Sequence, residues 1–289
     1  MGDSTFFING KYVKENEAQI SILDHGFLYG DGIFEAFRLN NGKIFHFDDH
    51  MNRLYDSAKI IALEIPYTIE EFKEIVIETI RRSGFMDCYI RPQVTRGIGK
   101  LGCNPDTCPN STVVVYVTPT PMVKKSKAIR AIVSCYRRPS STVLPPESKL
   151  TQYVNIILAK IEAQNSGVDD AILLDSRGFV SEGCGWNLFL IKNGCAITPS
   201  LNSSVLNGIT RKVIINLLRD TNIPVVERDV TLSELLTADE AFGTGTASEV
   251  TPILEINGRK IGPIEVGPIT EKLEASFKKY IANNGTPIL

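Results

Sequence analysis

The sequence predicts a two-domain α+β fold, and three observations carry that prediction. Strand-like runs arrive as hairpins around Asn-Gly turns instead of alternating strictly with helices, which disfavours a doubly wound α/β chain. Between and after those hairpins lie periodic apolar segments with helix-capping residues at their starts. At 289 residues the chain has the length of about two domains, and the proline- and lysine-rich stretch Pro119 to Lys127 reads as a linker between residues 1–118 and residues 128–289.

Before the linker, Phe6-Phe7-Ile8 and Tyr12-Val13 flank Asn9-Gly10, and Ile33 to Leu39 and Lys43 to Phe47 flank Asn41-Gly42. A helix follows from Asp48 to Ala62. A second opens at Thr68, whose partner Glu71 completes a capping box, and runs to Gly84. Strands are expected at Cys88 to Thr95 and Thr112 to Val117. After the linker come a strand at Ile129 to Cys135, a helix at Tyr153 to Asn165, and hairpins at Ala171 to Ser181 and Asn187 to Ile197. A helix at Ile209 to Arg219, a strand at Ile223 to Arg228, a capped short helix from Thr231 and a helix from about Pro268 complete the second domain.

Charge narrows the function. With 31 Lys+Arg against 33 Asp+Glu, the net charge of −2 leaves no general basic field for a nucleic acid or an anionic membrane, so phosphate recognition must be local. The amino terminus lacks the features of a secretory signal, and no apolar run approaches the ~20 residues that span a bilayer, so a cytoplasmic location is expected. Six cysteines without a C-x-x-C pair and three histidines predict reduced thiols and no metal site.

Gly97-Ile-Gly99-Lys-Leu-Gly102 fits G-x-G-x-x-G after a strand, but the following Cys-Asn-Pro-Asp-Thr-Cys-Pro cannot open the helix that would hold a pyrophosphate. A flexible loop is the better reading. More informative are Lys149 in Pro-Pro-Glu-Ser-Lys-Leu-Thr-Gln-Tyr153, Glu182 among glycines in Ser-Glu-Gly-Cys-Gly-Trp-Asn187, the helix start Gly208-Ile-Thr210, and the turn Gly243-Thr-Gly-Thr-Ala-Ser248. Singly, a loop lysine is solvated and a glycine-flanked glutamate is a turn residue. Together, N–H-rich turns, a helix start, a lysine and a carboxylate suit a phosphorylated cofactor held as a Schiff base.

In collinear order the blocks FFINGKYV, DHGFLYGDGIFEAFR, HMNRLYDSAKI, YIRPQVTRGIGKLG, ESKLTQYVNIILAKIEA, DAILLDSRGFVSEGCGWNLFLIKNG, LNGITR and FGTGTASEVTPI resemble the branched-chain amino acid aminotransferase family of class IV pyridoxal-phosphate enzymes. The resemblance implies the D-amino acid aminotransferase-like fold (fold type IV), pyridoxal 5′-phosphate (PLP), amino acid and 2-oxo acid substrates, and a homodimer or higher oligomer. By that resemblance Lys149, in the large domain, forms the Schiff base and moves the proton, with a pKa below that of a free lysine. Glu182 faces the pyridine nitrogen and keeps it protonated. Arg53, Ile209, Thr210 and Thr246 bind the phosphate, Tyr153 and Arg138 lie near the ring oxygen, and Leu206 packs on one ring face.

The same resemblance places Tyr29, Phe34, Ala36, Arg38, Tyr89, Arg91 and Ala247 around the substrate. The loop Gly97 to Cys108 is expected over the pocket. The implied reaction moves an amino group between Leu, Ile or Val and 2-oxoglutarate by a ping-pong mechanism. Three departures bear on substrate range. Ala36 stands where many branched-chain members have glycine, Trp186 replaces a residue that is commonly acidic, and Gln93-Val-Thr-Arg-Gly97 also occurs in D-amino acid aminotransferases. They leave a D-amino acid or (R)-amine transaminase as the alternative, and a non-catalytic cofactor- or metabolite-binding protein as a remote one.

Overall fold

The structure, a computed structural model, describes residues 4–119, 128–262 and 265–288, so the expected linker lies outside the described residues from Thr120 to Lys127. The chain divides into two compact units. One comprises Met1–Met122, Ser148–Gln152 and Asn284–Leu289, and the other Val123–Glu147 and Tyr153–Asn283. Two late segments thus return to the first unit, which the expected division at residues 119–127 did not include. Backbone hydrogen bonds explain the return. Phe34 N–H donates to the Lys149 carbonyl at 3.0 Å and Thr151 N–H to the Gly32 carbonyl at 2.9 Å. Lys149, expected in the second domain, therefore belongs to the first unit.

The first unit contains β1 (Thr5–Ile8), β2 (Lys11–Lys14), α1 (His25–Tyr29), β3 (Gly32–Phe34), β4 (Phe37–Asn40), β5 (Lys43–Phe45), α2 (Phe47–Ile60), α3 (Ile69–Ser83), β6 (Cys88–Thr95) and β7 (Thr112–Pro119). Asn9-Gly10 and Asn41-Gly42 both have positive φ at each residue, the backbone that a tight hairpin turn needs. The expected strand at residues 33–39 is broken. Glu35 N–H reaches the Pro92 carbonyl at 2.9 Å while its side chain turns to α2, so β3 and β4 pair with β6 as separate strands. Helix α1 was not expected from the sequence. Asp24 caps it by accepting from Gly26 N–H at 2.7 Å, and Gly30 ends it after five residues, too few for a periodic signal.

Strand β6 alternates between buried and partly exposed positions along Cys88 to Gln93. The buried side packs Phe37, Leu39, Ile90 and Val94 against Phe47, Met51, Leu54, Phe72, Val76 and Ile80 of α2 and α3, each side chain contributing about 1.5–3 kcal/mol. The other side carries Tyr89, Arg91 and Gln93.

The second unit contains β8 (Ile129–Arg137), α4 (Val154–Asn165), β9 (Asp170–Leu174), β10 (Val180–Gly183), β11 (Asn187–Lys192), β12 (Cys195–Pro199), α5 (Ile209–Asp220), β13 (Val225–Arg228), α6 (Leu232–Leu236), β14 (Glu240–Gly245), β15 (Glu249–Ile256), β16 (Arg259–Lys260) and α7 (Pro268–Asn283). The final strand, β17 (Gly285–Pro287), pairs with β5 in the first unit. Residues 243–248 were expected as one turn. Instead Gly243 to Gly245 finish β14 and only Thr246 to Ser248 turn.

In the second unit's sheet the strand path runs β10-β9-β8-β15-β14-β11, and β10 also pairs with β11, so six strands close into a ring. Glu182↔Asn187 is the register pair that closes it. Val180, Leu188, Leu190, Ile253 and Ile256 fill one of its cores. Among the described residues, no helix is long and apolar enough to cross a membrane.

Candidate active site

In the first unit the site grows from the break between β3 and β4. Cross-strand partners share a face, so the register pairs Phe34↔Gln93 and Arg38↔Tyr89 put Phe34 and Arg38 beside Tyr89, Arg91 and Gln93. Arg91 Cζ lies 3.8 Å from the Phe34 ring centroid, and Arg91 Nε donates to Gln93 Oε1 at 3.1 Å. Burial pushes the Tyr89 phenol pKa up, against the pull of Arg91. Ala36 sits partly buried in the strand break.

Lys149 is held from both sides through its backbone. Its carbonyl accepts from Phe34 N–H, and its N–H donates to Ser57 Oγ of α2 at 3.1 Å. Its Nζ lies 5.0 Å from the Phe34 ring centroid.

Alternation turns Glu35 the other way from Phe34, into full burial against α2. Helical spacing lines up His50, Arg53 and Ser57 on one face of α2. Arg53 donates to the Glu35 carboxylate through Nε at 2.6 Å and Nη2 at 2.9 Å, and His50 Nδ1 lies 2.7 Å from Oε2. Burial raises the Glu35 pKa, but Arg53 and His50 outweigh it and hold the carboxyl well below the usual range. Burial lowers the His50 pKa despite Glu35, so the ring is neutral and Nδ1 carries the donated proton.

Tyr29 meets the loop of residues 97–102. Its hydroxyl accepts Gly102 N–H at 2.7 Å, and His25 Nε2 lies 2.9 Å from the Lys100 carbonyl. Residues 97–102 form an irregular loop whose next helical turn, Pro105–Thr107, has only three residues.

In the second unit Glu182 is buried and saturated with donors. Oε2 accepts from Asn187 Nδ2 at 3.0 Å and Leu206 N–H at 3.1 Å, while Oε1 lies 3.1 Å from Arg138 Nε. Asn187 Nδ2 also reaches the Leu206 carbonyl at 2.9 Å, so one amide ties two predicted residues, Glu182 and Leu206, together. Ile209 and Thr210 open α5 behind Gly208 and present first-turn N–H groups that no preceding helical carbonyl can satisfy. Thr246 and the exposed Ala247 occupy the turn after β14. The hydroxyls of Thr244 and Ser248 are buried without a partner. Tyr153 caps α4.

Sequence reasoning missed Glu35, His50, Ser57 and Asn187. A charged residue inside the apolar run Ile33 to Leu39, and the 50/53/57 spacing on α2, were the available signals.

Each unit thus carries polar groups of its own, a pinned lysine in the first and a donor-rich helix start in the second. The family described as amino-transferase class IV matches residues 32–256 of the chain, which belongs to that family. A Methanocaldococcus jannaschii protein named as a candidate branched-chain-amino-acid aminotransferase is 48% identical over 272 residues, covering 94% of each chain. The crystal structure of a branched-chain aminotransferase from Thermoproteus uzoniensis with norvaline superposes with a TM-score of 0.93 at 37% identity, covering 99% of each chain. That of the branched-chain amino acid aminotransferase from Thermobaculum terrenum in PLP-form gives 0.90 at 29% identity, covering 100% of this chain and 99% of the other.

Proposed function

We propose that this protein is a pyridoxal 5′-phosphate-dependent transaminase moving the amino group between branched-chain L-amino acids and 2-oxoglutarate, as a cytoplasmic homodimer. The observation that carries the reading is Lys149. In a chain of this family, a loop lysine that should be solvated is instead held by β3 and α2 with its amine over Phe34.

The residues fit the cofactor's chemistry. Partnerless buried hydroxyls of Thr244 and Ser248 on either side of Thr246, the first-turn N–H groups of α5 and the Arg53 guanidinium are donors of the kind a phosphate takes. The Glu182 carboxylate, held by three donors, would face a pyridinium nitrogen with the negative charge it requires. When bound, pyridoxal 5′-phosphate supplies the carbonyl carbon that exchanges nitrogen and a ring that accepts electrons. With the cofactor bound, the Lys149 amine would serve as the base that takes the proton from the substrate α-carbon and as the acid that gives it back across the transferred nitrogen. Phe34 and Tyr89 wall an apolar side chain, and Arg91 receives a carboxylate.

The loaded wild-type protein is expected to absorb in the visible, to lose that band with L-Leu, L-Ile or L-Val, and to regain it with 2-oxoglutarate. Lys149→Ala abolishes the exchange. Turnover of D-Ala or an (R)-amine with none of L-Leu would overturn the substrate assignment, and no spectral response to any donor would leave a binding protein.

A further inference from the structure

Glu35 is a buried charge in the first unit that the proposed chemistry does not use. It is fully buried, yet it keeps its charge beside Arg53 and His50. Burying a carboxylate costs far more than a hydrogen bond returns unless its partners are fixed, so the arrangement calls for a reason. An arginine fork has two planar edges that can each take an oxyanion. Glu35 occupies the Nε/Nη2 edge of Arg53 in a bidentate pair, which sets the plane of the other edge.

Glu35 is itself anchored. His50, one turn before Arg53 on the same face of α2, gives Nδ1–H to Oε2, and Ala36 N–H lies 3.3 Å from the same oxygen. Neutral His50 adds no charge to the cluster, so its contribution is geometric. Lys149 comes under the same frame, because Ser57, one turn beyond Arg53, takes its backbone N–H.

We propose that Glu35, locked by the Nδ1–H of His50, is a positioning residue that orients the Arg53 guanidinium for a phosphate monoester. The proposal rests on the reading above that the phosphate of the cofactor meets Arg53. It separates two effects of Glu35. Its charge repels a phosphate across the guanidinium, whereas its geometry presents the donors, and the inference is that geometry dominates.

The test therefore uses variants that keep the Glu35 charge. Glu35→Asp retracts the carboxylate by one methylene. His50→Leu removes the anchoring donor, and His50→Asn retains a δ-position N–H. Each loaded protein is diluted and the loss of its visible band is timed, once with pyridoxal 5′-phosphate and once with pyridoxal, which lacks the phosphate. Glu35→Asp and His50→Leu are expected to release pyridoxal 5′-phosphate about 10-fold faster or more, of the order seen when residues supporting a site's ligands are removed. His50→Asn stays within about 3-fold of wild type, and pyridoxal release is the same in all four proteins.

Equal acceleration for both compounds would show a general loosening of the fold and overturn the proposal. So would a phosphate preference unchanged in His50→Leu. Thermal unfolding of each variant identifies any that fails to fold, and the two His50 variants then carry the comparison. Failure of wild-type protein to bind pyridoxal 5′-phosphate would defeat the functional reading itself, an outcome distinct from either of these.

Discussion

At the scale of single residues, Gly208 shows how a side chain outside the reacting groups can govern them. A Cβ added there would lie 2.0 Å from Asn187 Oδ1, closer than any real contact. Its φ of −64° suits any residue, so the constraint is steric and not conformational. With alanine at 208, Asn187 must swing away, and its bonds to Glu182 and to the Leu206 carbonyl are lost. Gly208→Ala is expected to lower the unfolding free energy by about 1–3 kcal/mol, the cost of a buried polar group left unpaired. In an Asn187→Ala background the same change should cost close to nothing, because the clash is gone. Urea denaturation of the four proteins measures this, and an equal cost in both backgrounds would refute the mechanism.

At the scale of elements, α3 gives a quantitative case. The Thr68 hydroxyl accepts from Glu71 N–H at 3.3 Å and donates to Glu71 Oε2 at 2.9 Å, while Thr68 N–H reaches the same carboxylate at 2.8 Å. That backbone bond, then the hydroxyl, holds the Glu71 carboxyl below its usual pKa. Thr68→Ala should cost about 1 kcal/mol near neutral pH, seen as a lower denaturation midpoint. A carboxylate with a lowered folded pKa stabilises above its unfolded pKa and loses that contribution as pH falls through the folded value. The deficit of Thr68→Ala should therefore shrink in acid, and a deficit that grew on acidification would contradict this account.

This cap was legible in sequence because all its parts lie within four residues. So were the Asn-Gly hairpins and the ends of α2, α4 and α5, within a residue or two. Strand β14 was not, because Gly243-Thr-Gly reads as a turn until its pairing with Leu188 on β11 and Thr251 on β15 is known. The same limit governed the site. Lys149 could be singled out, but its anchoring by Phe34 and Ser57 depends on residues far earlier in the chain. Glu35 looked like one charge in an apolar run, and only the fold brings it to His50 and Arg53.

At the scale of the whole molecule, the path of the chain matters more than its boundaries. A proline- and lysine-rich stretch suggests two domains in succession, yet the first unit also holds Ser148–Gln152 and Asn284–Leu289. Strand β17 pairs Gly285 with Phe45 and Pro287 with Lys43, Ile288 N–H donates to the Gly42 carbonyl at 3.0 Å, and the Ile288 side chain is buried in the first unit's core. Removing everything after Asn283 would expose the backbone edge of β5 and withdraw a buried isoleucine from a core formed by residues early in the sequence. The expected cost is about 2 kcal/mol from the isoleucine alone. Hydrogen exchange should locate it. Amides of Lys43–Phe45 and of their neighbours on β4 should exchange faster in the truncated protein, ahead of those in α7 beside the cut. Faster exchange confined to α7 would mean that the last strand merely frays from its own helix and has no structural part in the first unit.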